Sequence, residues 1–197
     1  MTSAGDAQLV QIVDAAVADA ARRAGSWLKC APGCTQCCYG VFAISQLDAA
    51  RLRDGLAALE ASDPARAAAV RERARAVRLR LAAEFPGDAA TGGLDEGRAE
   101  EFESFGNDEA CPALDRATGL CDLYAARPMT CRVFGPPLRT EEGLGVCELC
   151  FVGAGEDEVA RCEVHLECDA IEDALNRGVE SASGISGETI VAWALAR

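Results

Sequence analysis

The residues in this sequence that are best suited to chemistry are its cysteines. Four of them lie within nine residues, in the run Cys30-x3-Cys34-x2-Cys37-Cys38. The Pro and Gly inside this run predict a loop, which has little core for four thiols to fill. Thiolates bind Zn²⁺ and the irons of iron–sulfur clusters, and spacings of two or three residues let one loop surround one centre. The run therefore predicts a metal-binding loop.

A second group of three cysteines follows with the spacing Cys111-x9-Cys121-x9-Cys131. Two short apolar runs around a Gly-containing turn predict a hairpin that carries the first two thiols, with the third on the next turn of chain. Seven thiols are more than one tetrahedral site needs. Either one site has spare thiols, or two centres share them. Cys37 and Cys38 are adjacent and project in different directions, so they need not bind the same metal atom. Either one of them is a ligand and the other lies in the shell around the ligands, or the two serve different centres.

Five further candidate ligands lie in the last third of the chain. Cys147 and Cys150 have the spacing of a metal knuckle, but the Gly that helps such a turn is missing after Cys150, so two buried thiols are the alternative. Cys162, His165 and Cys168 fall on a predicted long helix. Core packing is favoured for Cys162, which lies on the apolar face. His165, at the margin of that face, is either a ligand or a hydrogen-bonded structural residue. Cys168 lies further around the predicted helix.

Three arginines flank the second group of cysteines. A centre with four thiolates carries net negative charge, which nearby guanidinium groups offset while donating hydrogen bonds to sulfur or to backbone carbonyls. We expect this supporting role for Arg127 and Arg132, which lie close to Cys131 in sequence. A surface salt bridge is expected for Arg139.

Composition narrows the class of protein. Eleven cysteines in 197 residues is an odd number, and a chain of this length can build a hydrophobic core without disulfides. The first residues show no secretory signal, and no run approaches the roughly 18 apolar residues of a spanning helix. We therefore expect reduced thiols, a cytoplasmic location and no membrane association. The net charge of −13 argues against nucleic-acid binding.

Apolar residues at helical spacing predict the elements that hold these loops. The predicted helices run over about 6–23, from Ser45, from Asp63-Pro64, over about 157–177 closed by Gly178, and over 188–196. Residues 86–110 are rich in Gly, Asp and Glu and predict a surface loop with a short helix near 95–102. Six arginines around the third helix predict a solvated face, or a docking face for an acidic partner. The predicted fold is mainly α: one domain over residues 1–197, with helices around irregular cysteine-rich loops and one or two small β-hairpins.

The cysteine pattern and several other residues resemble one known family together. The first run is followed by Cys111-Pro-x-Leu and then by Gly119-x-Cys121-x-x-Tyr124-x-x-Arg127-Pro128-x-x-Cys131-Arg132-x-Phe134-Gly135, and this order resembles the YkgJ-type cysteine-cluster family. That family is described as zinc- or iron-chelating and often as containing an iron–sulfur cluster. The resemblance covers roughly residues 28–136 and leaves 137–197 as a helical extension.

The resemblance implies a pool of seven metal ligands: Cys30, Cys34, Cys37, Cys38, Cys111, Cys121 and Cys131. The cysteines of the extension leave open a second site. With a surplus of thiols and few other ligands, we expect an iron–sulfur protein, with a [4Fe–4S] cluster, a redox or accessory role, and a redox or protein partner. The alternatives are a zinc-stabilised interaction module without catalysis and a store or carrier of a soft metal ion. No nucleophilic triad or phosphate-binding loop is evident.

Overall fold

Helices make up most of the protein. The computed structural model describes residues 3–140 and 143–196. In this part of the chain the α-helices are α1 (Ala4–Ala24), α2 (Gln46–Ser62), α3 (Pro64–Leu81), α4 (Ala99–Glu103), α5 (Met129–Val133), α6 (Glu156–Arg161), α7 (Asp169–Ser183) and α8 (Val191–Leu195). The strands are β1 (Ala43–Ile44), β2 (Gly87–Asp88), β3 (Gly93–Leu94), β4 (Leu114–Asp115), β5 (Leu120–Cys121), β6 (Leu138–Thr140), β7 (Gly143–Gly145) and β8 (Thr189–Ile190). The predicted mainly α class is confirmed.

Capping residues set the starts of the two helices that were predicted from them. The hydroxyl of Ser45 accepts a hydrogen bond from the Asp48 N–H at the start of α2. The carboxylate of Asp63 accepts one from the Arg66 N–H at the start of α3, whose first residue is proline. Both side chains satisfy amides that have no partner inside the helix. Ser45 and Asp63 therefore determine where α2 and α3 begin, as the sequence predicted.

The chain divides into two compact units. Unit 1 contains residues 33–128 and the segment from residue 176 onward, and unit 2 contains residues 3–32 and 129–175. The division falls within α7. The expectation of one domain over the whole chain stays a prediction. In the described residues, no helix has an apolar stretch of the length needed to cross a membrane.

The core of unit 1 forms where α2, α3 and α8 pack together. Trp193 of α8 is almost fully buried and stacks on Phe85, with ring centroids 4.3 Å apart. Its indole N–H donates to the Ala89 carbonyl at 2.8 Å, so its one polar atom is satisfied. Strands β1 and β8 pair antiparallel, with Ala43 opposite Ile190. This pairing joins β8, close to the last helix of unit 1, to β1, which follows the first cysteine run in the sequence.

Unit 2 is organised around α1, which packs against α5 and α6. Arg132 of α5 is buried, and its guanidinium bonds both carboxylate oxygens of Asp14 on α1 at 3.0 Å. Strands β6 and β7 pair antiparallel, with Arg139 opposite Leu144. The ion pair between α1 and α5 fixes the short helix that carries Cys131.

The prediction of one helix over about 157–177 closed by Gly178 is wrong. The structure has two helices, α6 and α7, and Gly178 lies inside the second. Between them the Val164 N–H donates to the Pro137 carbonyl at 2.7 Å, and Val164 pairs with Leu138 in a parallel bridge. This pairing requires extended backbone and therefore interrupts the helical pattern. Cys162, His165 and Cys168 consequently do not share one helix.

The predicted last helix over 188–196 is also too long. Thr189 and Ile190 form β8, and the helix proper is α8. Pairing with β1 provides backbone partners that a helix start would not provide at these two positions. The segment 86–110 contains the β2–β3 hairpin in addition to a short helix, α4, close to the predicted one.

Candidate metal centre

Backbone pairing joins the first and second cysteine segments within unit 1. The Cys111 N–H donates to the Cys38 carbonyl oxygen at 2.7 Å. One residue along, Tyr39 and Ala110 form an antiparallel bridge. These bonds hold the two segments side by side although more than seventy positions separate them in the sequence. The structure therefore brings thiols from both segments into one region.

The predicted hairpin is present and holds Cys121. In the β4–β5 pair Cys121 lies opposite Leu114. The turn contains Gly119 at φ +71°, and a Cβ added to it would lie 3.2 Å from Gly33 Cα. A glycine is therefore needed both for the backbone conformation and for the close approach. This approach packs the turn against the loop that leads into Cys34.

Two arginines of α3 secure the hairpin. Arg73 donates to the Pro112 carbonyl at 2.8 Å and lies 2.5 Å from a carboxylate oxygen of Asp122. Arg66 bonds the other oxygen of Asp122. The Asp122 side chain is only 2% exposed, so its charge depends on these two partners. The Pro112 carbonyl and the Asp122 carboxylate belong to the residues that directly follow Cys111 and Cys121 in the sequence. The two arginines thereby help to position these cysteines.

Other arginines of α3 also bond within unit 1. Arg71 pairs with Glu60, and Arg80 pairs with Glu109. Arg78 donates to backbone carbonyls in the β2–β3 loop. The sequence offered a solvated face or a docking face for this helix; in the structure several of its arginines support neighbouring elements of the same unit.

The adjacent thiols Cys37 and Cys38 differ sharply in acidity. A hydrogen bond from Cys38 lowers the pKa of Cys37 to about 6, with help from the positive charge of Arg127 and against the opposing effect of burial. The same bond, together with burial and the negative charges of neighbouring thiols, raises the pKa of Cys38. Since the thiolate is the form that binds metal, one member of the pair is already suited to ligation near neutral pH.

Burial governs the other two thiols of this group. It raises the pKa of Cys111 to about 12 and also raises the pKa of Cys121. Negative charge on Cys121 and Cys37 further raises the pKa of Cys111, and negative charge on Cys37 further raises the pKa of Cys121. The four thiols Cys37, Cys38, Cys111 and Cys121 thus lie within electrostatic reach of one another, and a cation would relieve their repulsion.

Arg127 is placed to offset part of this charge. Its guanidinium lies over the ring of Tyr124, 4.0 Å from the centroid, and donates to the Tyr124 carbonyl at 3.0 Å. Its positive charge helps to lower the pKa of Cys37 and opposes the rise in the pKa of Cys121. The supporting role expected for Arg127 stays a prediction. Arg132 instead bonds Asp14 in unit 2.

The remaining predicted ligands belong to unit 2, apart from Cys34. Cys30 is exposed and its sulfur lies beside Gly135, where a Cβ would come within 2.7 Å of it. Cys131 is half-buried on α5, and His165 is exposed. The buried thiols are Cys147, Cys150, Cys162 and Cys168, of which the first three share one apolar cluster. The described residues include all eleven cysteines, and no disulfide joins any two of them.

Sequence reasoning missed Asp122 and Arg73. Asp122 directly follows Cys121, and a charged residue next to a candidate ligand is a signal that could have been read. The partner on α3 could not be identified, because six arginines spread around that helix and only tertiary packing selects between them.

The donor chemistry of unit 1 fits a soft metal centre. Five thiols lie in this unit, and sulfur is the ligand that zinc and iron–sulfur irons accept most readily. Over residues 3–140 and 143–196, no three Cys, His, Asp or Glu side chains converge closely enough to hold a single metal ion. The thiols are gathered in one region, but their sulfurs do not meet at one point.

Comparison with known proteins gives one match. Residues 29–151 match the CxxCxxCC family, described as "Putative zinc- or iron-chelating domain". The matched region includes nine of the eleven cysteines, among them Cys147 and Cys150, and ends before Cys162. No curated protein and no solved structure matches the chain significantly. Since the matched segment covers more than half of the sequence, the protein belongs to this metal-chelating cysteine-cluster family.

Proposed function

We propose that unit 1 binds an iron–sulfur cluster of the [4Fe–4S] type and that the protein has a redox or accessory role. The observation that carries this proposal is the gathering of Cys37, Cys38, Cys111 and Cys121 by backbone pairing, with their charges acting on one another. Cys34 is a fifth thiol in the same unit. Four thiolate ligands are what such a cluster requires.

The supply of donors in unit 1 favours a cluster over a single zinc ion. Five cysteines lie in this unit, whereas the one histidine of the chain, His165, lies in unit 2. Iron–sulfur clusters take their ligands mainly from thiolates, whereas zinc sites also use imidazole and carboxylate.

The surroundings support exchange of electrons with a partner. When bound, such a cluster supplies one-electron redox chemistry. Tyr39 and Tyr124, each close to a candidate ligand in the sequence, are 51% and 64% exposed. The thiols of Cys37, Cys38, Cys111 and Cys121 are half-buried, so a centre held by them would lie near the surface, with Arg127 offsetting part of its negative charge. These features are compatible with a redox partner that approaches this side of unit 1.

The test is the metal content of protein purified without oxygen. Iron and acid-labile sulfide in matched amounts, with visible absorption, are the expected result. Cys111→Ser should lose both, whereas Cys168→Ser, the same change at a buried cysteine outside this group, should keep both. Zinc alone, with no visible absorption, would contradict the proposal and leave a zinc-stabilised interaction module in its place.

A further inference from the structure

We propose that unit 1 docks an acidic partner protein through an exposed surface beside its thiols, formed by Tyr39, Arg116, Leu120, Tyr124 and Arg127. We call these five residues the docking face. The partner carries carboxylates around an apolar centre. This inference rests on the function proposed above, because it names the kind of redox partner that approaches the same centre.

The exposed large apolar side chains of unit 1 concentrate near its cysteines. Tyr39, Leu120 and Tyr124 are 51%, 42% and 64% exposed. Tyr39 directly follows the first cysteine run, and the other two lie within three residues of Cys121. Among the described residues of this unit, Leu79 is the single other large apolar side chain exposed to this degree. Exposed apolar groups that lie together mark interaction sites.

The segments that carry these side chains contact one another. Tyr39 forms a bridge with Ala110, at the start of the segment that contains the β4–β5 hairpin. The turn of that hairpin leads into Leu120, and a Cβ added to its Gly119 would lie 3.2 Å from the Gly33 Cα. The turn therefore packs on the loop that leads into the first cysteine run. The apolar part of the docking face is thus built from neighbouring segments.

Tyr124 and Arg127 form the part of the docking face that acts most directly on the thiols. The guanidinium lies 4.0 Å from the centroid of the tyrosine ring and donates to the Tyr124 carbonyl at 3.0 Å. Its positive charge also acts on Cys37 and on Cys121. Side chains that already hold each other in place lose less conformational entropy on docking. Tyrosine and arginine are also among the residues enriched in protein interfaces.

The charge of this surface differs from that of the chain as a whole. Residues 33–42 and 110–128 contain two aspartates and two arginines, so they carry no net charge in a chain of −13. One of the aspartates, Asp122, is buried against two arginines of α3. The other, Asp115, accepts hydrogen bonds within its own turn, from the Ala117 N–H and the Thr118 hydroxyl. Arg116 is exposed and forms no ion pair with any residue of the described chain.

This charge distribution selects an acidic partner for the docking face. At physiological salt, exposed charges more than about 8 Å apart are largely screened, so a partner senses the local arginines rather than the net charge. Its carboxylates pair with Arg116 and Arg127 here. Elsewhere they meet acidic surface, such as residues 84–109 with nine carboxylates and one arginine. A basic partner would instead be attracted to those other surfaces.

The experiment measures binding of a small acidic [2Fe–2S] ferredoxin, used as the probe, to the full-length chain purified without oxygen. Titration calorimetry should show binding at low salt that weakens as salt is added. Binding that is absent at low salt, or that strengthens with salt, would overturn the proposal.

Arg116→Glu should raise the Kd by about fivefold or more, since it replaces an ion pair by repulsion. The matched control is Arg75→Glu, the same charge change at another exposed arginine. Arg75 follows Arg73 by two residues and therefore lies on a different side of α3. Its Kd should stay within about twofold of the wild type. Equal effects of the two changes would overturn the docking face.

A second measurement uses the wild-type chain and does not depend on how a variant folds. Oxidative footprinting with peptide mapping should find Tyr39 and Tyr124 less labelled when ferredoxin is added, with Leu79 unchanged. Equal labelling of both tyrosines with and without ferredoxin would overturn the docking face. Protection of the same tyrosines by a basic cytochrome c, and not by ferredoxin, would do so as well.

Iron and acid-labile sulfide, measured on each sample, separate this inference from the proposed function. A loaded chain that does not bind ferredoxin overturns the docking face and leaves the cluster in place. A chain without iron and sulfide that still binds ferredoxin through Arg116 contradicts the cluster and supports the docking face.

Discussion

Arg73 and Asp122 form an ion pair in which the carboxylate is almost fully buried and the guanidinium is about one-third exposed, with 2.5 Å between Nη2 and Oδ2. Arg66 binds the second carboxylate oxygen, so one buried charge is shared by two side chains of the same helix. The pair joins α3 to the residue that follows Cys121. A surface helix thereby holds the hairpin that presents a candidate ligand.

Replacing Asp122 tests this connection. Asp122→Asn should lower the free energy of unfolding by about 1–3 kcal/mol, because charge-assisted hydrogen bonds to a buried carboxylate are lost. It should also reduce the amount of metal bound per chain. Chemical denaturation and metal analysis measure the two effects. Glu60→Gln is the control, since it removes an exposed ion pair with Arg71 on the same helix and should change neither quantity. Equal effects in both variants would contradict the role of Asp122.

Gly55 tests the packing of α2 against the turn before Arg127. A Cβ at this position would lie 2.3 Å from the Ala126 Cβ, so Gly55→Ala must displace the turn. We expect a loss of about 1–3 kcal/mol from overpacking, seen as a lower denaturation midpoint. Gly178→Ala is a matched control, because its Cβ would meet no atom within 4 Å. That change should stabilise α7 by up to about 1 kcal/mol through helix propensity, so the two variants should shift stability in opposite directions.

Trp193 tests whether α8 completes the core of unit 1. Trp193→Ala should cost about 3–5 kcal/mol, since it removes a large buried side chain that stacks on Phe85. Denaturant titration measures the loss. Leu79→Ala, at a position 82% exposed on α3, should stay within about 0.5 kcal/mol of the wild type. A small effect at Trp193 would show that unit 1 is held together without α8.

Metal removal tests the link between binding and stability. Burial raises the pKa of Cys111 and of Cys121, and the thiolates that a metal requires would repel one another. A bound centre relieves that repulsion, so its binding free energy contributes to folding. Stripping the metal without oxygen should lower the thermal midpoint and increase proteolysis in residues 33–40 and 110–122. A thermal midpoint that is unchanged after complete metal removal would separate binding from stability.

The local structure followed closely from the sequence. Ser45 and Asp63 predict helix starts because their side chains bond nearby amides, which is a matter of adjacent residues alone. The hairpin before Cys121 was predicted from its apolar runs and its Gly-containing turn. The cysteine pattern likewise predicted a metal-chelating family.

Long-range relationships could not be predicted in the same way. The break between α6 and α7 depends on Val164 pairing with Leu138, and no residue between Cys162 and Cys168 is a strong helix breaker. The assignment of Cys34 to unit 1 and Cys131 to unit 2 depends on which segments pack together. The sequence shows how many cysteines there are and how they are spaced. Tertiary structure decides which of their thiols become neighbours.

The pairing of β1 with β8 has a consequence for how the protein is made. All five thiols of unit 1 leave the ribosome well before Ile190 and Trp193, which close its core. During that interval the cysteines are attached to a chain that has not finished folding, open to oxygen and to mispairing with each other. The core of the unit that carries these five thiols is therefore complete only after residues 190–195 have been synthesised.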